Sequence, residues 1–177
     1  NNEIGTVQNT KKLAQITHKY GGYFHTDAVQ AFGKIDIDVQ NIGIDMLSAS
    51  SHKVGAPRGA GFLYVSSEVP ISPLISGGQQ EHHMRAGTEN VAAIIGFAKA
   101  AEIAYANLDN NIENICNLSN YFKIQLNTLD KIKYNNYNEY AFPNTISVNM
   151  GLPAERVMAY LNEFDICVSS GSACNSR

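Results

Sequence analysis

The sequence predicts an α/β fold built around a mixed sheet, and three observations carry that prediction. Two short apolar runs, at residues 22–26 and 45–50, each break into polar residues at the carboxyl end. A helical pattern precedes the first run, and a third run at 62–65 returns from a glycine-rich loop that follows the second. Helix, strand, crossover and strand in this order belong to mixed α/β sheets.

The elements follow in chain order. Residues 10–20 read as an amphipathic helix, with Thr10 as N-cap, Leu13, Ile16 and Thr17 on one side, and Gly21 as the stop. A strand at 22–26 leads through a short turn to Ile35 and Ile37. The strand at 45–50 runs into the glycine-rich loop 52–61, and 62–65 comes back as a third strand. Residues 76–88 form a polar loop carrying Gly77, Gly78, His82, His83, Arg85 and Gly87. A long helix over 89–106 is expected to bury one face through Val91, Ile94, Ile95, Ala98 and Ile103. Composition then turns asparagine-rich, and 107–127 reads as a second long helix. After a tyrosine-rich polar stretch at 134–140, residues 144–150 alternate as a strand. Residues 153–164 form a helix with Pro153 near its first position, and 166–168 form a brief strand. The shift near residue 107 divides the chain into a sheet domain, 1–107, and the start of a smaller α+β domain, 108–177.

Bulk properties narrow the function classes. With 177 residues, 44% apolar and 16% charged, the chain can bury one good core, or one domain and part of another. A net charge of -3 supplies no basic field for nucleic acid or an anionic membrane. No apolar run approaches the length of a membrane span. The three cysteines, Cys116, Cys167 and Cys174, are an odd count without a pairing pattern, which suits a reducing compartment and makes cytoplasm the expected location. The start at Asn1-Asn2 and the stop at Arg177, just beyond a Gly/Ser loop, read as the ends of a fragment.

Chemistry concentrates at strand ends. The run at 45–50 continues into Ser51, His52 and Lys53, and the earlier one ends at Asp27, with Gln30 one short turn on. Neighbouring parallel strands would bring the Lys53 ammonium and the Asp27 carboxylate to one sheet edge, where open α/β folds bind ligands. An amine able to form a Schiff base, with an acid able to keep a ring nitrogen protonated, is the minimum equipment of a pyridoxal-phosphate (PLP) enzyme. Ser50 and His52 can donate to a phosphate, and Gly55, Gly59 and Gly61 permit close backbone approach. A Schiff-base lysine needs a free amine, which partial desolvation would favour. Asp27 also reads as an ordinary turn residue.

Other candidates carry a plain alternative too. Thr88, just ahead of the long helix, reads either as an anion ligand or as a helix cap. Cys116 and Cys167 fit buried small hydrophobes. Cys174, flanked by small polar residues on a loop, reads as an exposed thiol free to react. His82 and His83 lack companions for a tetrahedral set, so no metal site is expected.

Taken in order, these segments resemble the cysteine desulfurases of the nitrogen-fixation and housekeeping iron–sulfur type, within the class-V aminotransferase-like PLP enzymes. The resemblance rests on Asn1-Asn2-Glu3-Ile4-Gly5-Thr6, His25-Thr26-Asp27-Ala28-Val29-Gln30, Ser51-His52-Lys53, Arg85-Ala86-Gly87-Thr88-Glu89-Asn90 and Ser169-Ser170-Gly171-Ser172-Ala173-Cys174. The last resembles the catalytic loop of the first desulfurase group. The resemblance implies a fold-type-I PLP-dependent transferase, present here as part of its large domain and the start of its small one. It implies that Asn2 contacts the cofactor ring oxygen and substrate, Asp27 the pyridine nitrogen, and Gln30 the phenolic oxygen. Ser50 and His52 would hold the phosphate, Lys53 would form the Schiff base, and Thr88 would reach the phosphate of a partner subunit in a homodimer. Cys174 would take sulfur from L-cysteine, leaving L-alanine, and pass it to an iron–sulfur scaffold or other acceptor protein. A relative acting on selenocysteine, and an inactive remnant or interaction module, are the competing readings. Ser51 stands where many relatives have glycine, and neither His82 nor His83 stands at the family's ring-stacking position.

Overall fold

The computed structural model describes residues 1–135 and 140–171. Chain contacts divide it into two units, one spanning Asn9–Asp109 and the other joining Asn1–Gln8 to the chain from Asn110 onward. The division falls close to the composition shift at residue 107.

The Asn9–Asp109 unit begins with α1, Thr10–Lys19. Its cap is Asn9, not Thr10: the Asn9 side chain accepts from the Lys12 amide at 3.0 Å. Burial runs through Ala14 at 1% exposure, whereas Leu13 and Ile16, expected on the inner face, are exposed. Strand β1, His25–Asp27, starts later than expected and ends on the acid. A short helix, α2 at Val39–Ile42, was not anticipated. Four residues are too few to show a helical period; the Asp38 carboxylate capping Gln40 and Asn41 and the left-handed Gly43 (φ 82°) set its two ends.

Strand β2, Met46–Ser50, pairs parallel with β1 and antiparallel with β3, Gly61–Val65, giving the order β1-β2-β3. The mixed sheet is therefore as predicted. Helix α3, Val91–Ala106, closes the core: Phe97 packs with Ala28, Ile44, Leu47 and Ala49. Its ring lies 5.8 Å from Phe32 edge-on and 5.6 Å from Phe62. The burial of α3 differs from expectation, since Ala93 and Phe97 are the buried residues while Val91, Ile94, Ile95 and Ile103 are exposed. A helix apolar on all sides presents more apolar surface than one sheet face can cover.

Helix α1 is tied to the sheet by polar contact. His18 Nε2 lies 2.7 Å from Asp45 Oδ2, which also accepts from the Phe24 amide at 2.6 Å. Burial pushes the Asp45 carboxyl up, but the Phe24 amide and His18 outweigh it and hold the carboxyl below its ordinary value.

The other unit contains most of α4 (Leu108–Leu126), strands β4 (Lys133–Tyr134) and β5 (Val148–Asn149), and α5 (Ala154–Asn162). The two strands pair antiparallel. Thr6 bridges Ala141, and the Val7 and Phe142 amides bond to Tyr140 and Gly5 carbonyls, which is what holds the first residues in this unit. The strand expected over 144–150 is confined to β5, and 166–168 is irregular backbone. A short run forms a strand only where a partner edge meets it, and 166–168 has no such partner among the described residues. Cys116 is half-buried, but Cys167 is exposed, against the expectation of burial. No single helix among the described residues is long and apolar enough to cross a membrane.

The Asp45 arrangement has a pH consequence. A depressed carboxylate contributes stability that is complete above its unfolded value, about pH 4, and is lost as pH falls through the lower folded value. Asp45→Asn should therefore flatten the decline in urea midpoint between about pH 4 and pH 2 relative to the unmodified protein. Parallel declines in both would show that Asp45 is not a source of the acid sensitivity.

Candidate functional site at the carboxyl edge of the sheet

Parallel pairing sets β1 and β2 in register, with Asp27 opposite Ser48. Both strands therefore release their chains at the same edge. β1 ends on Asp27; β2 ends on Ser50, and a 3-10 turn, Ser51–Val54, carries His52 and Lys53 from it.

Asp27 is exposed and makes a turn of its own: Oδ1 accepts from the Val29 amide at 2.9 Å. The turn reading thus holds, and it leaves Oδ2 open to a donor outside the chain. The chain then coils through successive turns, the Ala31 and Phe32 amides bonding to Ala28 and those of Lys34 and Ile35 to Ala31. Gln30 is exposed on this stretch, and its Oε1 accepts from Lys34 Nζ at 3.2 Å. On the strand behind, His25 Nε2 meets Ser48 Oγ at 2.7 Å.

Ser50 Oγ and His52 Nδ1 lie 2.8 Å apart, so the two expected anion donors orient one another. Lys53 is exposed, so these residues do not supply the partial desolvation expected for it. Its ammonium is nevertheless close enough to act on a neighbour. Lys34 is held below the ordinary lysine value, first by burial and then by the charge of Lys53.

The turn carrying Lys53 is anchored from beneath by Ser51, a residue with 0% exposure. Ser51 Oγ donates to the Pro57 carbonyl at 2.5 Å, its amide to Ala60 and its carbonyl accepts from Ala56. Pro57 in turn lies against α3 at Gly96, where an added Cβ would come within 2.9 Å of the proline ring. Gly61 faces the end of β2 so closely that a Cβ there would meet the Ala49 carbonyl at 2.8 Å. The Ser51 hydroxyl thus joins the two ends of the loop.

Thr88 is exposed, and α3 is capped by Asn90, whose side chain accepts from the Ala93 amide. The helix-cap reading of Thr88 is overturned. The preceding loop is closed by a bridge from Ile75 to Arg85 and a bond from the Gly87 amide to Gln80 Oε1 at 3.1 Å. At its tip Glu81, His82 and His83 all have left-handed φ values (50°, 55° and 66°), a strained run for residues with side chains. Asn2 belongs to the other unit, exposed on a turn that the Asn1 side chain caps through the Glu3 and Ile4 amides. Cys174 lies outside the described residues.

Asp27, Gln30, Ser50, His52 and Lys53 thus share one unit and follow two adjacent parallel strand ends. The family model for class-V aminotransferases matches residues 1–176. The chain belongs to the class-V aminotransferase family. Among the family's curated members, it is 42% identical over 178 residues to a protein of Dictyoglomus turgidum named cysteine desulfurase IscS, covering 99% of this chain and 45% of that one. The solved structure of a NifS-like protein from Rickettsia africae superposes with a TM-score of 0.93 at 36% identity, over 97% of this chain and 48% of that one. A structure described as SspA in complex with cysteine matches with a TM-score of 0.77 at 35% identity, over 99% of this chain and 48% of that one. The class-V chain therefore has the fold-type-I architecture, and it spans about half the length of the relatives it matches.

Lys34 and the buried hydroxyl of Ser51 were not singled out from sequence. The four-residue spacing of Gln30 and Lys34 on a turn-forming stretch was the available signal for the first. Ser51→Ala should leave the Pro57 carbonyl without its donor and loosen the Lys53 turn by about 1–2 kcal/mol. Hydrogen exchange at the Ala56 amide, whose acceptor is the Ser51 carbonyl, should accelerate about ten-fold or more; an unchanged rate would show that the hydroxyl does not hold the loop.

Proposed function

We propose that the protein is a cysteine desulfurase, a PLP-dependent enzyme that takes sulfur from L-cysteine, releases L-alanine and carries the sulfur as a persulfide on Cys174. The observation that carries this reading is the convergence of Asp27 and Lys53 at one edge of the parallel strand pair in a class-V aminotransferase fold. The cysteine desulfurase names of its relatives support the reaction.

The residues fit the cofactor. Asp27 keeps Oδ2 available for a protonated ring nitrogen, because Oδ1 is engaged by Val29. Gln30 offers its amide to the ring oxygen, and the mutually oriented Ser50 and His52 can hold the phosphate. Asn2 is assigned to the ring oxygen and substrate on the family pattern. PLP held there would supply an electron sink for charge developing at the substrate α-carbon.

Lys53 would have two tasks: to supply the amine that holds the cofactor, and, as a free amine, to move the substrate α-proton as a base. Cys174, as thiolate, forms a bond to the substrate sulfur. The carbon–sulfur bond breaks with its electron pair on carbon, which takes up a proton, so that cysteine becomes alanine and Cys174 a persulfide. The persulfide then transfers to an acceptor protein such as an iron–sulfur scaffold. On the family pattern Thr88 would reach the phosphate of a partner subunit, and on that basis we infer a homodimer. The odd cysteine count without a pairing pattern in sequence fits a reducing compartment, which we take to be the cytoplasm.

The purified protein mixed with PLP should develop visible absorption, and Lys53→Ala should remove it. With L-cysteine and a reductant the protein should release sulfide, while Cys174→Ser should lower that release by at least about a hundred-fold, as loss of a nucleophile does. Sulfide production that survives Cys174→Ser would contradict the role given to that thiol.

A further inference from the structure

We propose that Lys34 is a positioning residue of this site: by donating to Gln30 Oε1 it turns the Gln30 Nε2 group outward, as a fixed donor to an anionic ring oxygen. The inference rests on the PLP reading above and adds to it a residue that the motifs leave out.

An ammonium has three donors and no acceptor, so the end of the Gln30 amide that faces Lys34 Nζ, 3.2 Å away, must be its oxygen. The amide is planar, and with the oxygen held on the Lys34 side the two N–H groups are directed elsewhere. Gln30 is exposed, and without such a lock it would present either its acceptor or its donor to a ligand. An acceptor turned toward a phenolate would repel it. Fixing the polarity of one exposed amide is therefore worth a binding contact.

An exposed glutamine–lysine pair four residues apart on a helical turn is ordinarily a minor surface contact. Two features set this one apart. Lys34 is half-buried, so part of its stem is packed against the chain. It is also held beside a second cation: the charge of Lys53 acts against its own, in addition to burial. A lysine free to choose would extend into solvent and away from Lys53. Its donation to Gln30 offsets part of both penalties and explains why it stays.

The test is a double-mutant cycle on the purified protein, read through apparent PLP affinity and the position of the visible absorption band. Lys34→Met keeps the length and apolar body of the side chain but cannot donate. It should weaken PLP binding about five-fold and shift the band. Lys34→Arg, whose guanidinium also only donates, should restore both toward the unmodified values. In a Gln30→Ala background, Lys34→Met should change neither. Equal effects of Lys34→Met with and without Gln30, or none in either, would overturn the proposal while leaving the cofactor assignment intact. Absence of the band from the unmodified protein would overturn the cofactor reading itself, and this proposal with it.

Discussion

The parallel pairing of β1 and β2 is the constraint on which the rest of the site depends. Antiparallel strands would send Asp27 and Lys53 to opposite edges of the sheet. In parallel register, with Asp27 opposite Ser48, both chains leave at the same edge. A carboxylate and an amine widely separated in sequence are thereby placed at one edge of the sheet. Parallel strands require a crossover, and the turns from Ala28 onward with α2 provide it. Part of that crossover, the Gln30–Lys34 stretch, also belongs to the site.

Around this pairing the fold spends its small residues where backbone must approach backbone. Gly61 lets β3 close on the Ala49 carbonyl, and Gly96 lets α3 meet Pro57. Ser51 then draws Pro57 and Ala60 onto the start of the turn that bears Lys53. The side chains of Asp27, His52 and Lys53 are exposed, while Ser51, which fixes the backbone of the Lys53 turn, is buried. Rigid support beneath and open groups above is the arrangement expected of a binding edge that receives a ligand.

Much of this was legible in the sequence because it depends on local pattern. Apolar runs that break at Asp27 and at Ser50 located both strand ends, and periodicity located α1, α3, α4 and α5. The candidates Asp27, Gln30, Ser50, His52 and Lys53 were read from chemistry at and just after those ends, whereas Asn2 came from the family resemblance. What escaped notice depends on partners distant in sequence. The inner face of α1 is Ala14, because the Gly43 turn leaves room for a small residue there, while Leu13 and Ile16 face outward. Only two residues of 144–150 find a strand partner, in β4, and 166–168 find none among the described residues, so alternation alone overstated the strands. Cys167 has apolar neighbours in sequence yet is exposed, since neighbours along the chain do not bury one another in irregular backbone. Asn9, not Thr10, caps α1 and Asn90, not Thr88, caps α3, because each asparagine stands immediately before the first helical residue and accepts from an amide of the first turn.

If PLP is held at this edge, the amine that takes it up is the one carried by the turn after β2. Borohydride reduction of the PLP-treated protein would fix the cofactor to whichever lysine holds it, and peptide mass mapping would locate it. A pyridoxyl group on Lys53 is the expected result. Modification of Lys34 in its place, or an adduct spread over surface lysines with Lys53 unmodified, would contradict it.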